Sequence, residues 1–130
     1  MNNLDIKSIL LLDDDPDLAF TMKALLESRN FVVTAVSNGA EGLREILAFE
    51  FDAIICDLMM PTMPGDMFYL AVQRSRPHLC KRIIFITGHA QNPKVDAFLK
   101  TVDGIALFKP VHTEELISAL SLILKRQDEQ

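Results

Sequence analysis

Apolar residues gather along the chain in short runs, at residues 9–12, 31–36, 53–56, 83–86 and 105–108. Each run is too short for a helix and rich in Ile, Val, Leu or Phe, so each predicts a strand. They show little alternation with polar residues, the pattern of parallel strands covered by helices on both faces. Between and after the runs the apolar period changes to that of a helix. Leu18, Met22, Leu25 and Leu26 fall on one stripe, Leu43, Ile46 and Leu47 on a second, and Met67, Leu70 and Ala71 on a third. Val95, Phe98, Leu99 and Val102 follow at helical spacing, and Leu116, Ile117, Leu120, Ile123 and Leu124 form the last stripe.

Helix-start signals stand where these stripes begin: Asp15 before Pro16, Asn38 before Gly39, Asn92 before Pro93, and Thr113 before two glutamates. The alternation predicts a (βα)5 chain. That is an α/β fold with a doubly wound, parallel five-stranded sheet between two helical layers, for which the common strand order is 2-1-3-4-5. One domain is expected over residues 1–125, with 126–130 a frayed polar tail or the start of a linker.

Composition narrows the field. A chain of 130 residues has room for one ordinary domain, and 49% hydrophobic residues suffice for a sizeable core. A net charge of −5, with Lys and Arg outnumbered and scattered, gives no electrostatic reason to bind nucleic acid. No apolar run approaches the roughly 18 residues of a membrane span, and the opening "MNNLDIK" lacks the basic start and apolar centre of a signal peptide. The 2 cysteines, Cys56 and Cys80, are too few and too far apart for a zinc site or disulfide scaffold, so a cytoplasmic protein is expected, with Cys56, inside an apolar run, a buried reduced thiol.

Ligands of such a sheet collect at the carboxyl ends of its strands. After the first strand stand Asp13, Asp14 and Asp15, and after the third stands Asp57; Thr87 and Gly88 follow the fourth, and Lys109 and Pro110 the fifth. Alone, each has a dull explanation as a helix cap, a turn or a loop residue. Together they converge on one sheet edge, because the first and third strands are neighbours in the expected order. Two like charges about 4 Å apart repel by about 4 kcal/mol at an effective dielectric of ~20. Three carboxylates against Lys109 leave a net −2, which a hard divalent cation with oxygen ligands offsets, and Mg²⁺ suits such a site. Asp15, ahead of Pro16, is better placed to cap a helix, and Asp17 to favour its dipole.

The stretches "ILLLDDDPD", "DAIICDLMMPTMPG", "IFITGHA" and "LFKPV" resemble the signatures of response-regulator receiver domains, the CheY-like, flavodoxin-like fold of two-component signalling. The resemblance covers nearly the whole chain. The acidic pair and the D-x-x-M-P-x-x-x-G run from Asp57 to Gly65 are its most specific parts. It implies that Asp57 accepts a phosphoryl group from a histidine kinase or histidine phosphotransfer protein. It also implies that Mg²⁺ is held by Asp14, Asp57 and the backbone carbonyl of Met59, with Asp13 acting largely through bound water. Thr87 and Lys109 would contact phosphoryl oxygens, Gly88 would leave room beside them, and the Lys109–Pro110 bond would be cis. The activity implied is self-catalysed phosphotransfer and dephosphorylation, not that of an ordinary enzyme. The output would be contact with a downstream protein or a covalently attached domain, with no nucleic acid or membrane contacted by this segment.

Of the histidines His78, His89 and His112, none is a convincing phosphodonor. His89 and Met59, each two residues past a site residue, resemble the family's variable rim pair. One departure stands out. The family usually carries Tyr or Phe three residues before the lysine, and here that position is Ala106, with Phe108 facing the same way one step nearer Lys109. Two rival readings fit the sequence less well. An aspartate-nucleophile phosphatase of the haloacid dehalogenase type would use Asp13 as nucleophile and Asp15 as acid/base, but Pro16 follows where Val or Thr is expected and no acidic pair follows a strand after Lys109. A receiver-fold binding module without phosphorylation would be favoured by loss of one of the site residues, and all are present.

Overall fold

The computed structural model describes residues 6–60, 64–88 and 92–128. The strands β1 (Ser8–Leu12), β2 (Val32–Val36), β3 (Ala53–Asp57), β4 (Ile83–Thr87) and β5 (Ile105–Phe108) alternate with helices α1 (Pro16–Glu27), α2 (Gly39–Ala48), α3 (Gly65–Ser75), α4 (Pro93–Leu99) and α5 (Thr113–Asp128). A short 3-10 segment, Pro77–Arg82, leads into β4. All pairings are parallel and the order is β2-β1-β3-β4-β5, as the sequence pattern predicts.

Strand periodicity sorts the core into two halves. Ile9 and Leu11 of β1 join Leu26 of α1 and Leu116, Leu120 and Ile123 of α5 on one face of the sheet. Leu10 and Leu12 point the other way, toward Ile46 of α2 and Phe68, Tyr69 and Val72 of α3, with Val95, Phe98 and Leu99 of α4 packed against that cluster. Every residue of β3 and β4 is buried, and burying each large aliphatic side chain contributes roughly 1.5–3 kcal/mol. That burial explains the unbroken apolar runs.

Of the expected start signals, Asp15, Asn38 and Asn92 act as caps, and Thr113 is itself the first residue of α5. Asp15 accepts from the N–H groups of Asp17 and Leu18, and Asn92 from those of Lys94 and Val95. Asn38 accepts from Glu41 N–H while the Glu41 carboxylate takes the Ser37 N–H and hydroxyl, a reciprocal box. These Ser37 contacts hold the Glu41 carboxyl below its usual range. At the other end of α1, Asn30 adopts φ 71° and the Phe31 N–H bonds Leu26 O at 3.2 Å. Phe31 therefore closes the helix, and β2 begins one residue later than the apolar run predicts. Helix α5 continues to Asp128, past residue 125 where the expected tail begins.

Of the expected stripes, those of α1 and α2 face the core at Met22, Leu26, Leu43 and Ile46 but not at Leu18 and Leu47, while that of α3 has the right period and the wrong phase. Leu18, Leu47, Met67 and Leu70 are 46%, 55%, 54% and 50% exposed. The inward faces are formed by Ala19, Met22 and Leu26 in α1, by Gly39, Gly42, Leu43 and Ile46 in α2, and by Gly65, Phe68, Tyr69 and Val72 in α3. Small residues conceal the true phase. A Cβ on Gly42 would stand 2.5 Å from Leu12 Cδ2 and 3.1 Å from Phe68 Cε1, so α2 approaches the sheet closely only because that position is bare.

Candidate functional site

The acidic cleft grows directly out of strand register. Leu12 pairs with Cys56 across β1 and β3, so the next residue of each strand, Asp13 and Asp57, emerge at the same level. The Asp13 N–H bonds Val36 O at 3.1 Å and the Leu58 N–H bonds Ile86 O at 3.0 Å, carrying sheet pairing to the lip of the cleft. One carboxylate oxygen from each of Asp13, Asp14 and Asp57 lies within 4.8 Å of the others. Asp13 and Asp57 are buried and Asp14 is exposed, so the cluster has a closed floor and an open side.

Turn geometry holds these carboxylates still. The Asp15 N–H donates to Asp13 Oδ1 at 2.9 Å, and the Met59 N–H donates to Asp57 Oδ1 at 2.9 Å. On the other Asp57 oxygen, Lys109 Nζ donates at 3.1 Å. Burial is the main force raising the Asp13 carboxyl above its usual range, and repulsion from Asp57 and Asp14 adds to it. The Asp15 N–H and Lys109 pull the other way. Beneath the site the Cys56 thiol is raised far above its normal range by burial and by Asp57 and Asp13, which makes it inert.

Thr87 closes β4 with its side chain fully buried, and Phe108 stands opposite it in register on β5. The Lys109 N–H bonds Thr87 O at 2.8 Å, which brings the lysine to the cleft directly from the strand, and the Lys109–Pro110 peptide is cis. Among the described residues, a Cβ at Gly88 would meet Lys109 Cδ, at 3.7 Å, an ordinary contact distance. Gly65 is required for a different reason. Its N–H bonds Leu58 O at 3.0 Å, and a Cβ there would fall 2.9 Å from Leu58 Cα. The turn after β3 closes only around a bare backbone.

Asp13, Asp14, Asp57, Thr87 and Lys109 thus come from four strand ends. Met59 contributes its backbone to the same turn as Asp57. His89 and residues 61–63 of the motif lie outside the described residues. His78 is drawn to the opposite end of the sheet, where its Nε2 meets Glu50 Oε2 at 2.9 Å, and His112 opens α5. Sequence reasoning missed the backbone donors, Asp15 N–H and Met59 N–H, since side-chain spacing carries no direct sign of them. The proline after Asp15 was the available clue, because it marks the turn that aims that N–H.

Three oxygen-donor carboxylates this close, against one ammonium, are a donor set for a hard cation. A family model described as the response regulator receiver domain matches residues 9–121. The response regulator receiver protein CpdR of Brucella abortus (strain 2308) is 32% identical over 122 residues, covering 92% of this chain and 98% of CpdR. The transcriptional regulatory protein GlrR of Escherichia coli (strain K12) is 33% identical over 120 residues, covering 91% of this chain and 26% of GlrR, so the chain spans only part of that relative. Among solved structures, the receiver domain of sensor histidine kinase PA1611 from Pseudomonas aeruginosa PAO1 has a TM-score of 0.82 at 25% identity, covering 92% of this chain and 98% of that one. It contains a magnesium ion coordinated in its active site cleft. The chain belongs to the response regulator receiver domain family.

Proposed function

We propose that Asp57 accepts a phosphoryl group from a phosphohistidine on a partner kinase or phosphotransfer protein. The observation that carries this is the convergence of the Asp13, Asp14 and Asp57 carboxylates within 4.8 Å, with Lys109 Nζ 3.1 Å from Asp57. Asp13, Asp14 and Asp57, with the Met59 carbonyl, would hold Mg²⁺, and the ion would neutralise charge on the transferring phosphoryl oxygens. The chain's own residues do the rest by positioning. The Met59 N–H and Lys109 fix the Asp57 carboxylate, so an oxygen of it attacks phosphorus as the bond to the donor imidazole breaks. Lys109 then pairs with a phosphoryl oxygen, and the Thr87 hydroxyl donates to another.

The dehalogenase-type alternative would need Asp15 as acid/base. Its Oδ1 already accepts the Asp17 and Leu18 N–H groups at 3.0 and 3.2 Å, which favours the capping role. Signalling would be by altered protein contacts in the cytoplasm. No helix among the described residues is long and apolar enough to cross a membrane.

The test is intact mass after incubation with Mg²⁺ and acetyl phosphate. Wild type should gain one hydroxylamine-sensitive phosphoryl group and Asp57→Asn none. Equal labelling of the two would move the nucleophile elsewhere, Asp13 first.

A further inference from the structure

Helix α3 carries apolar residues on both faces. Its inward face is filled by Phe68, Tyr69 and Val72, yet Met67 and Leu70 are 54% and 50% exposed on the outward one. Asp66, Gln73 and Arg74 are exposed beside them, so the outward face runs from an acidic first turn, across an apolar middle, to a basic last turn. Asp66 and Arg74 lie equally far from Leu70 along the helix. Among the described residues no hydrogen bond or ion pair engages the Arg74 side chain, and Asp66 Oδ1 accepts only the neighbouring Met67 N–H, at 2.9 Å.

We propose that this face is a contact between two copies of the chain, with α3 packed antiparallel against α3 of the second copy about a two-fold axis through Leu70. Such an axis makes the contact isologous. It sets Leu70 against its own counterpart, brings the Met67 side chains over the aliphatic stems near Arg74, and places each Asp66 opposite an Arg74 of the other copy. The charge order is what selects this occupant. A parallel pairing would oppose Asp66 to Asp66, and antiparallel helices also set each positive N-terminus beside a negative C-terminus. An 11-residue helix is about 16 Å long. One such face per copy buries less than the ~1,200 Å² of stable complexes, so the dimer is weak and depends on concentration.

The test is sedimentation equilibrium and NMR translational diffusion of the 130-residue chain, from dilute to the highest soluble concentration. Wild type should pass from monomer toward dimer, and Leu70→Lys should remain monomeric. Asp66→Arg and Arg74→Asp should each weaken association about tenfold or more, because each places like charges opposite one another at both ends. An equimolar mixture of these two variants should associate again, since each end then pairs an arginine with an aspartate. All three positions are exposed, so the fold survives, and amide spectra verify that. Wild type that stays monomeric throughout overturns the proposal, as does association indifferent to the substitutions. A mixture that fails to recover refutes the antiparallel two-fold arrangement.

Discussion

At the scale of single residues, the triplet Asp13-Asp14-Asp15 divides its labour by backbone direction. Asp13 turns into the floor of the cleft, Asp14 stays at its open side, and Asp15 looks back along α1 to cap it. Substitution should separate the roles. Asp14→Ala should weaken Mg²⁺ binding by roughly tenfold or more, because one unit charge about 4 Å from a cation exceeds the ~1.4 kcal/mol of a tenfold change. Asp15→Ala should lower stability by about 1 kcal/mol through loss of the cap, with a smaller effect on the metal. A Mg²⁺ titration followed by fluorescence or NMR, beside urea unfolding of each variant, reads both. The reverse order of metal affinities would exchange their assignments.

At the scale of elements, the end of the sheet far from the cleft is tied by one carboxylate. Glu50, just ahead of β3, takes Arg76 and Arg82 from either end of the 3-10 segment, the latter at 2.8 Å, as well as His78. Partial burial would raise the Glu50 carboxyl, but His78 and Arg82 overcome it and hold it below its usual range. A depressed folded-state value stabilises the fold above the unfolded-state value, and that contribution is lost as pH falls through the folded one. Glu50→Gln should therefore unfold more easily near neutrality and match wild type in strong acid. With Glu50 49% exposed, water and salt screen the cluster and keep the difference to about 1 kcal/mol or less. Urea midpoints at the two pH values check this. A gap that persists in strong acid would mean that packing, not charge, is lost.

At the scale of the whole molecule, the departure at Ala106 acquires a physical setting. Ala106 pairs with Phe85 in register, on the face that packs against α4. Three rings already crowd that region: Phe85 meets Phe98 at 5.4 Å and Tyr69 at 5.9 Å, and Tyr69 meets Phe98 at 5.7 Å. The rings thus come from β4, α4 and α3, and a small residue on β5 leaves them room. Alone among the helices α4 has no buried residue, so it is the helix expected to repack if phosphate at the cleft moves the buried Thr87. Ala106→Tyr should change the amide shifts that beryllofluoride, a phosphoryl mimic, induces in α4 and β5, while leaving the phosphorylation rate within about twofold. An unaltered shift pattern would show that the small residue is irrelevant to the response.

How much of this was legible from the sequence follows from the range of the forces involved. The strands and their order were readable because full burial of β3 and β4 leaves an unbroken apolar run, and right-handed crossovers allow few topologies. The Asp15, Asn38 and Asn92 caps were readable because a cap bonds within three residues of itself. The convergence of Asp13, Asp14, Asp57 and Lys109 could be inferred from strand order alone, since every one of them sits at a strand end. Tertiary structure alone decided the rest. It set which face of α3 turns inward and turned Leu18 and Leu47 outward, because the exact phase of a helix depends on how closely bare residues such as Gly42 and Gly65 let neighbours approach. It also aimed the Asp15 and Met59 N–H groups, drew His78 to Glu50, and left Met67 and Leu70 in solvent. Those outcomes depend on contacts between residues distant in sequence or on the path of the backbone, and the periodicity of side chains encodes neither.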